Sequence, residues 1–259
     1  MPYWGWLVGC SALVAALEAA FPWRAAQRQL RPRLWSDLLH LVFNGHFLGV
    51  AIYWVAITHI EPRLVQALGP AAPSAWLGVA SAWPLWSQCL LVTVAMDFVQ
   101  WCVHNLLHRV PWLWTFHKVH HSVVDGEMDW IVSFRFHWME VVVYKSLQYL
   151  PLALLGVDGQ AILFHAVFGT LIGHLNHANL DWDYGPLRFV LNNPRMHLWH
   201  HDYDAEAGHT RNFGIILSCW DYLFGTAVVP GRPPRAIGFP GVEQFPRSFF
   251  RAEIWPLWR

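Results

Sequence analysis

A chain of 259 residues that is 55% hydrophobic and only 13% charged is too apolar for an ordinary soluble globule. Its formal net charge of zero leaves no electrostatic footprint for nucleic acid. Eighteen tryptophans suit a polypeptide with many positions at the membrane–water interface, where an indole keeps one wet edge, so the composition reads as an all-α integral membrane protein. Cys10, Cys89, Cys102 and Cys219 form neither CxxC pairs nor a disulfide framework, and free thiols are expected. The apolar N-terminus has no basic segment before it and no clear cleavage site, so no cleavable signal peptide is expected.

Residues from Tyr3 to Phe21 are apolar for the length a bilayer requires, and they are followed by Pro22 and by Arg24, Arg28, Arg31 and Arg33. Ser36 to Ile60 is a second apolar stretch, whose His40, Asn44 and His46 are expected to face the bundle interior. Glu61-Pro62-Arg63 to Ser74 reads as a loop, and Ala75 to Ala82 with Pro84 as an interfacial or broken helical piece. Leu85 to about Leu107 is the third span. Trp138 to Leu155 is the fourth, with Glu140 and Lys145 near its start or snorkelling. After a tight turn at 156–159, Gln160 to about His177 is the fifth, so four to five transmembrane helices are expected. Asp202, Asp204 and Glu206 read as a solvated acidic loop, and Pro230 to Pro246 as an irregular extended tail.

Charge sets an orientation. If the first span runs from outside to inside, all of the 17 Lys and Arg except Arg63 and Lys145 fall on the cytoplasmic side. Every histidine cluster then lands on that side, so four segments can converge on a single site at the membrane boundary.

The clusters carry the chemistry. His104 and His108 are four apart at the end of the third span, so on a helix they share one face and can reach a common metal. Pro111 interrupts the helix, and a second short piece is expected to bring His117, His120 and His121 toward the same point. The triplet recurs as His197-Leu-Trp-His200-His201, and His174 and His177 end the fifth span. So many imidazoles at ligand spacing read as more than one metal ion. His40, His46, His59, His165 and His209 read as hydrogen-bonded core residues, and His137 as either a supporting group or an interfacial residue.

Rival sites fit less well. A zinc hydrolase of the HExxH type needs a glutamate, but Asn105, Leu106 and Leu107 separate His104 from His108. A structural zinc would leave most of these rings unused. A membrane cytochrome needs axial histidines inside facing helices, not at helix ends and in loops. Two iron ions, activating dioxygen to attack an unactivated C–H bond of a lipid, is the reading that remains. A non-catalytic metal-binding membrane protein should show polar residues along several spans at mid-depth and a flexible His-rich tract, and neither is evident.

The order HxxxH, HxxHH and a distant HxxHH resembles the membrane fatty acid hydroxylase and sterol desaturase superfamily, especially its bacterial members. Supporting stretches are Arg135-Phe136-His137, Asn176-His177-Ala-Asn179, Pro194-Arg195-Met-His197, Asn212-Phe-Gly214 and Trp220-Asp221-Tyr-Leu-Phe224-Gly225-Thr226. The resemblance implies a cytosolic histidine-rich helical cap that holds a di-iron ligand set of His104, His108, His117, His120, His121, His177, His197, His200 and His201, with His174 as a tenth. It also implies O2 as co-substrate and lipid hydroxylation, or desaturation by the same centre. No fused electron carrier is visible, so electrons are expected from a separate cytochrome b5-, ferredoxin- or rubredoxin-like protein. The expected organisation is an N-terminal helix and basic loop over 1–35, a hydroxylase-like catalytic domain over 36–229 and a tail over 230–259, in a bacterial inner membrane.

Overall fold

The computed structural model describes residues 2–68, 78–124, 126–203 and 211–257. Among the described residues the regular secondary structure is helical, with two isolated β-bridges, Leu191 with Leu217 and Asp202 with Ile237. Helix α1 spans Tyr3–Ala20 and packs its buried Leu7, Cys10 and Val14 against the bundle while much of its other face stays exposed. A second rod follows, built from α2 (Leu34–Val42), α3 (Gly49–Val55) and α4 (Glu61–Leu68) and joined by π-helical turns at Phe43–Leu48 and Ala56–Ile60. Helix α5 (Leu85–Arg109) is the third long apolar element.

Those three, Tyr3–Ala20, Leu34–Ala67 and Leu85–Arg109, are the helices among the described residues that are long and apolar enough to cross a membrane. The fourth and fifth expected spans form as α7 (Trp138–Leu154) and α8 (Gly159–His177), but they are not among the three. Helix α7 is 17 residues long, one short of the length of the shortest of the three, and α8 carries the polar His165, His174, Asn176 and His177.

The loop expected from Glu61 is instead helix as far as Leu68. Pro62 lacks an N–H, and the widened turn before it lets the rod continue. The side chain of Arg63 donates to the His59 carbonyl at 2.8 Å, so one carbonyl there keeps a partner. Of the expected interfacial piece, Val79–Ala82 is a 3₁₀ turn and 75–77 lie outside the described residues, as do His209, Asp204 and Glu206.

The cap is made of short helices with clear stop and start signals. Val110 ends α5 and Pro111 opens α6 (Pro111–His121) at a position where a missing N–H costs nothing. Asn193 caps α9 (Pro194–His200) by accepting from Met196 N at 3.0 Å, with Pro194 as the first helical residue. Small helices α10 (Cys219–Leu223) and α11 (Phe249–Glu253) complete it.

Two features of the cap depart from the sequence expectation. Arg31 and Arg33, counted above among the basic residues of a loop, are buried in an ion network with Arg135. Arg31 grips Asp129 through two bonds of 2.6 and 2.7 Å and reaches Asp37 at 2.6 Å, and Arg135 holds Asp37 at 2.6 and 2.8 Å. Such pairs are stable only as a complete set, because deleting one partner strands a buried charge. The tail is irregular but not loose: Phe239, Val242, Phe245, Ala252 and Trp255 bury themselves against Val119 of α6.

Candidate metal centre

Nine imidazoles converge from four elements. His104 and His108 come from the end of α5, His117, His120 and His121 from α6, His177 from the end of α8, and His197, His200 and His201 from α9 and its C-cap. Eight of the nine are buried, His108 being the partly exposed one. They sort into two groups whose ligand atoms lie within 4.8 Å of one another: His104, His108, His117, His121 and His200 in the first, and His120, His177, His197 and His201 in the second.

Each triplet is therefore divided and does not point at one place. Residues four apart on a helix lie on one face, so His117 and His121 go to the first group and His197 and His201 to the second. The member three on from the first residue of each triplet, His120 or His200, faces the other group. One repeated spacing thus builds both halves.

His174 is brought to neither group. Its Nδ1 faces the Trp130 carbonyl at 3.1 Å and Ser133 Oγ at 2.7 Å, while Nε2 accepts from Ser11 Oγ at 3.1 Å. Both ring nitrogens are used in joining α1, α8 and the 3₁₀ turn Trp130–Phe134. His137 likewise lies apart, buried against Phe116 with its Nδ1 accepting from Met139 N.

The fit of this donor set to metal ions can be tested by counting protons. A backbone carbonyl can only accept, so a ring nitrogen bonded to one must carry the hydrogen. His104 Nδ1 donates to the Phe213 carbonyl at 2.8 Å, His177 Nδ1 to Gly173 at 2.8 Å and His200 Nδ1 to Arg211 at 2.9 Å. His117 Nδ1 lies 2.6 Å from Glu140 Oε2 and donates to it when that carboxyl is ionised. With Nδ1 carrying the hydrogen, each of these rings when neutral presents a bare lone pair at Nε2, and the Nε2 atoms of His104 and His117 stand 3.2 Å apart.

Two lone pairs at that separation repel unless a cation lies between them. Across the two groups, facing Nε2 atoms are 2.9 to 3.3 Å apart. A metal–imidazole bond of about 2.0–2.1 Å with ordinary ligand angles places neighbouring nitrogens about 2.9–3.4 Å from each other. The residues present therefore fit two metal ions. Burial, reinforced by the neighbouring imidazoles, pushes His120, His121, His197 and His201 far below the usual histidine range, which keeps these rings neutral and able to ligate.

A polar scaffold that sequence reading had not recognised as such holds the rings. Asp221 accepts from Phe213 N and Gly214 N, both at 2.8 Å, from Trp101 Nε1 at 3.0 Å and from Thr226 Oγ1 at 2.6 Å. It thereby fixes the loop whose Phe213 carbonyl orients His104. Burial raises the Asp221 carboxyl, and these donors work against that shift. Asp97 braces the next residues, accepting from Ile216 N, Leu217 N and Trp220 Nε1 at 2.8 to 3.0 Å. Gly214 is required by contact, since an added Cβ would lie 2.5 Å from the Leu217 oxygen and 2.9 Å from Asp221 Oδ2.

The tail reaches the same site from the other side. Glu253 Oε2 accepts from Trp138 N at 2.8 Å and so caps α7, the helix that carries Glu140. Its Oε1 lies 3.0 Å from both Asn44 Nδ2 and His40 Nδ1. No local pattern marks either glutamate, because each partner is distant in the chain.

Between the rod, α5, α7 and α8 lies a cavity of about 290 Å³ with a mostly apolar wall. His104 and His117 of the first group and His120, His177 and His197 of the second form part of its lining.

Fold and site together define a class: a helical membrane protein with buried imidazoles arranged for two metal ions beside an apolar cavity. The family model for fatty acid hydroxylases matches residues 89–226, more than half the chain and every one of the nine clustered histidines. The chain belongs to that family. It is 31% identical to ornithine lipid hydroxylase OlsE of Rhizobium tropici over 231 residues, 89% of this chain and 68% of that protein. It is also 31% identical to alkylglycerol monooxygenase of Danio rerio over 147 residues, 56% of this chain but 31% of that protein. Against very-long-chain aldehyde decarbonylase GL1-6 of Oryza sativa subsp. japonica the identity is 26%, covering 66% of this chain and 27% of that one. No solved structure matches. A family of lipid hydroxylases and a histidine-rich di-metal site make this protein an oxidoreductase of the membrane.

Proposed function

We propose that the protein is a di-iron, O2-dependent hydroxylase that oxygenates a C–H bond of a membrane lipid, drawing electrons from a separate donor protein. The observation that carries this reading is the opening of both histidine groups onto one apolar cavity between apolar helices. The proposed ligands are His104, His108, His117, His121 and His200 for one ion and His120, His177, His197 and His201 for the other. When bound, two irons supply the activation of dioxygen and the one-electron chemistry that unactivated C–H bonds demand, which acid–base side chains do not provide.

The chain's own residues supply position and environment. Glu140 and the carbonyls of Phe213, Gly173 and Arg211 fix the tautomers and aim each Nε2. Apolar wall residues such as Val141, Ile162 and Leu163 take up an aliphatic segment and keep water from the reacting carbon. The positive-inside asymmetry of the sequence supports a cytoplasmic cap, where a soluble donor protein has access.

Hydroxylation is preferred over desaturation because OlsE and the alkylglycerol monooxygenases are named for oxygen insertion. Comparative lipid mass spectrometry of cells with the intact protein and with its His120→Ala variant tests the proposal. A lipid that gains one oxygen only with the intact protein supports it. A loss of two hydrogens means desaturation, and identical lipid profiles in both strains contradict the assignment.

A further inference from the structure

The cavity has a second end that the metal centre does not use. Its wall there carries Lys145 and Gln148 of α7, His165 of α8, His46 of the first π-helical turn and Tyr3. Among the described residues that line the cavity, Lys145 is the one lysine or arginine, and none is a carboxylate. Lys145 Nζ lies 3.4 Å from Gln148 Oε1, and its stem runs past Gly49, where an added Cβ would meet Cε at 4.0 Å. His165 is only 8% exposed, and its Nδ1 has no hydrogen-bond partner among the described residues. The Nδ1 of His46 is also buried without one among those residues.

Sequence reading gave both of these histidines to the core as satisfied residues. Their place in the cavity wall with unmet ring nitrogens says otherwise, since buried polar groups are retained where something satisfies them. Lys145 adds a basic side chain to the same stretch of this mostly apolar wall. Along α8, at about 1.5 Å per residue, His165 stands roughly 18 Å from His177, and on α7 Lys145 stands roughly 7–8 Å from Glu140. The polar end is thus separated from the metal centre by one to three helical turns.

We propose that Lys145, with His165, His46 and Gln148, binds an oxyanion, a carboxylate or phosphate, attached to the aliphatic chain that is oxygenated. By anchoring one end, this subsite decides which carbon meets the metal centre. The proposal rests on the lipid hydroxylase reading. An ammonium in a low-dielectric wall attracts an oxyanion far more strongly than it does in water, and an N–H of a neutral imidazole adds a directed bond. Binding energy realised away from the reacting atoms then fixes their geometry.

Equilibrium binding of palmitate, hexadecyl phosphate and hexadecanol to the iron-loaded, detergent-purified protein tests the subsite without turnover. The wild type is expected to bind at least one of the acids about tenfold or more tightly than the alcohol. Lys145→Met should erase that preference while keeping metal content and affinity for the alcohol, and Lys145→Arg should restore part of it. Whichever acid shows the effect identifies the oxyanion. In cells, Lys145→Met should scatter the added oxygen over several carbons, as read by fragment masses. Equal binding of acids and alcohol by the wild type, or an unchanged preference in Lys145→Met, overturns the subsite. Should Lys145→Met lose its metal, Lys145→Arg and Gln148→Leu carry the same comparison. A wild type that oxygenates no lipid at all removes the underlying reading, an outcome the binding result does not mimic.

Discussion

The two histidine groups are built from one repeated spacing but are not equivalent. Three rings of the first group, His104, His117 and His200, are held at Nδ1 by acceptors on other elements, one of them the Glu140 carboxylate. In the second group His177 is anchored within its own helix, to Gly173, and Nδ1 of His120, His197 and His201 has no hydrogen-bond partner among the described residues. A carboxylate behind an imidazole raises its basicity and fixes its orientation. The first group, with five rings and a glutamate behind one of them, is therefore expected to hold a metal ion more tightly than the second, with four.

Removing a ring is the severest way to break that contrast. His197→Ala leaves the second group with three ligands and should empty it, abolishing product formation while the protein remains in the membrane. His200→Ala leaves four in the first group and should keep more metal. Metal analysis of the two purified variants checks the order, and equal losses would show the groups to be equivalent.

Glu140→Gln is the next test. It keeps a hydrogen-bond acceptor beside His117 Nδ1 but removes the charge, and about a 10- to 100-fold loss of metal affinity or activity is expected, confined to the first group. Chelator titration followed by metal counting reads the result, and loss from the second group first would reverse the assignment. Phe245→Ala acts at a distance by opening the tail's contact with Val119 and Trp255, and should cost about 3–5 kcal/mol of stability. Thermal unfolding of the detergent-solubilised variant measures it, and an unchanged midpoint would mean the tail does not support the cap.

The mildest expected effect is that of His174→Ala. It should leave both metals in place and cost about 1–3 kcal/mol, because the Ser11 and Ser133 hydroxyls and the Trp130 carbonyl lose a partner. Loss of a metal ion from this variant would return His174 to the ligand set.

Much of this was legible in the residues. Hydropathy marked the three long helices, and the i, i+4 and i, i+3 offsets within each triplet contained the division into two groups, although counting rings toward one point obscured it. What stayed hidden depends on partners far away in the chain. Glu140 sits near the start of an apolar run and looks like an interfacial charge until α6 places His117 beside it. Arg31, Arg33 and Arg135 count as topology signals in a sequence, yet they are buried against Asp37, Asp129 and the Ser122 carbonyl. Pro62 reads as a helix breaker because a π-helical turn has no recognisable sequence mark. Pro- and Gly-rich composition disguised a tail whose Glu253 caps α7.

Metal content and iron spectroscopy of freshly purified, catalytically active protein test the central claim most directly. Two irons per chain, one for each histidine group, with a Mössbauer signature of a coupled pair, is the predicted result. Active protein carrying stoichiometric zinc, or a single uncoupled iron, would contradict it.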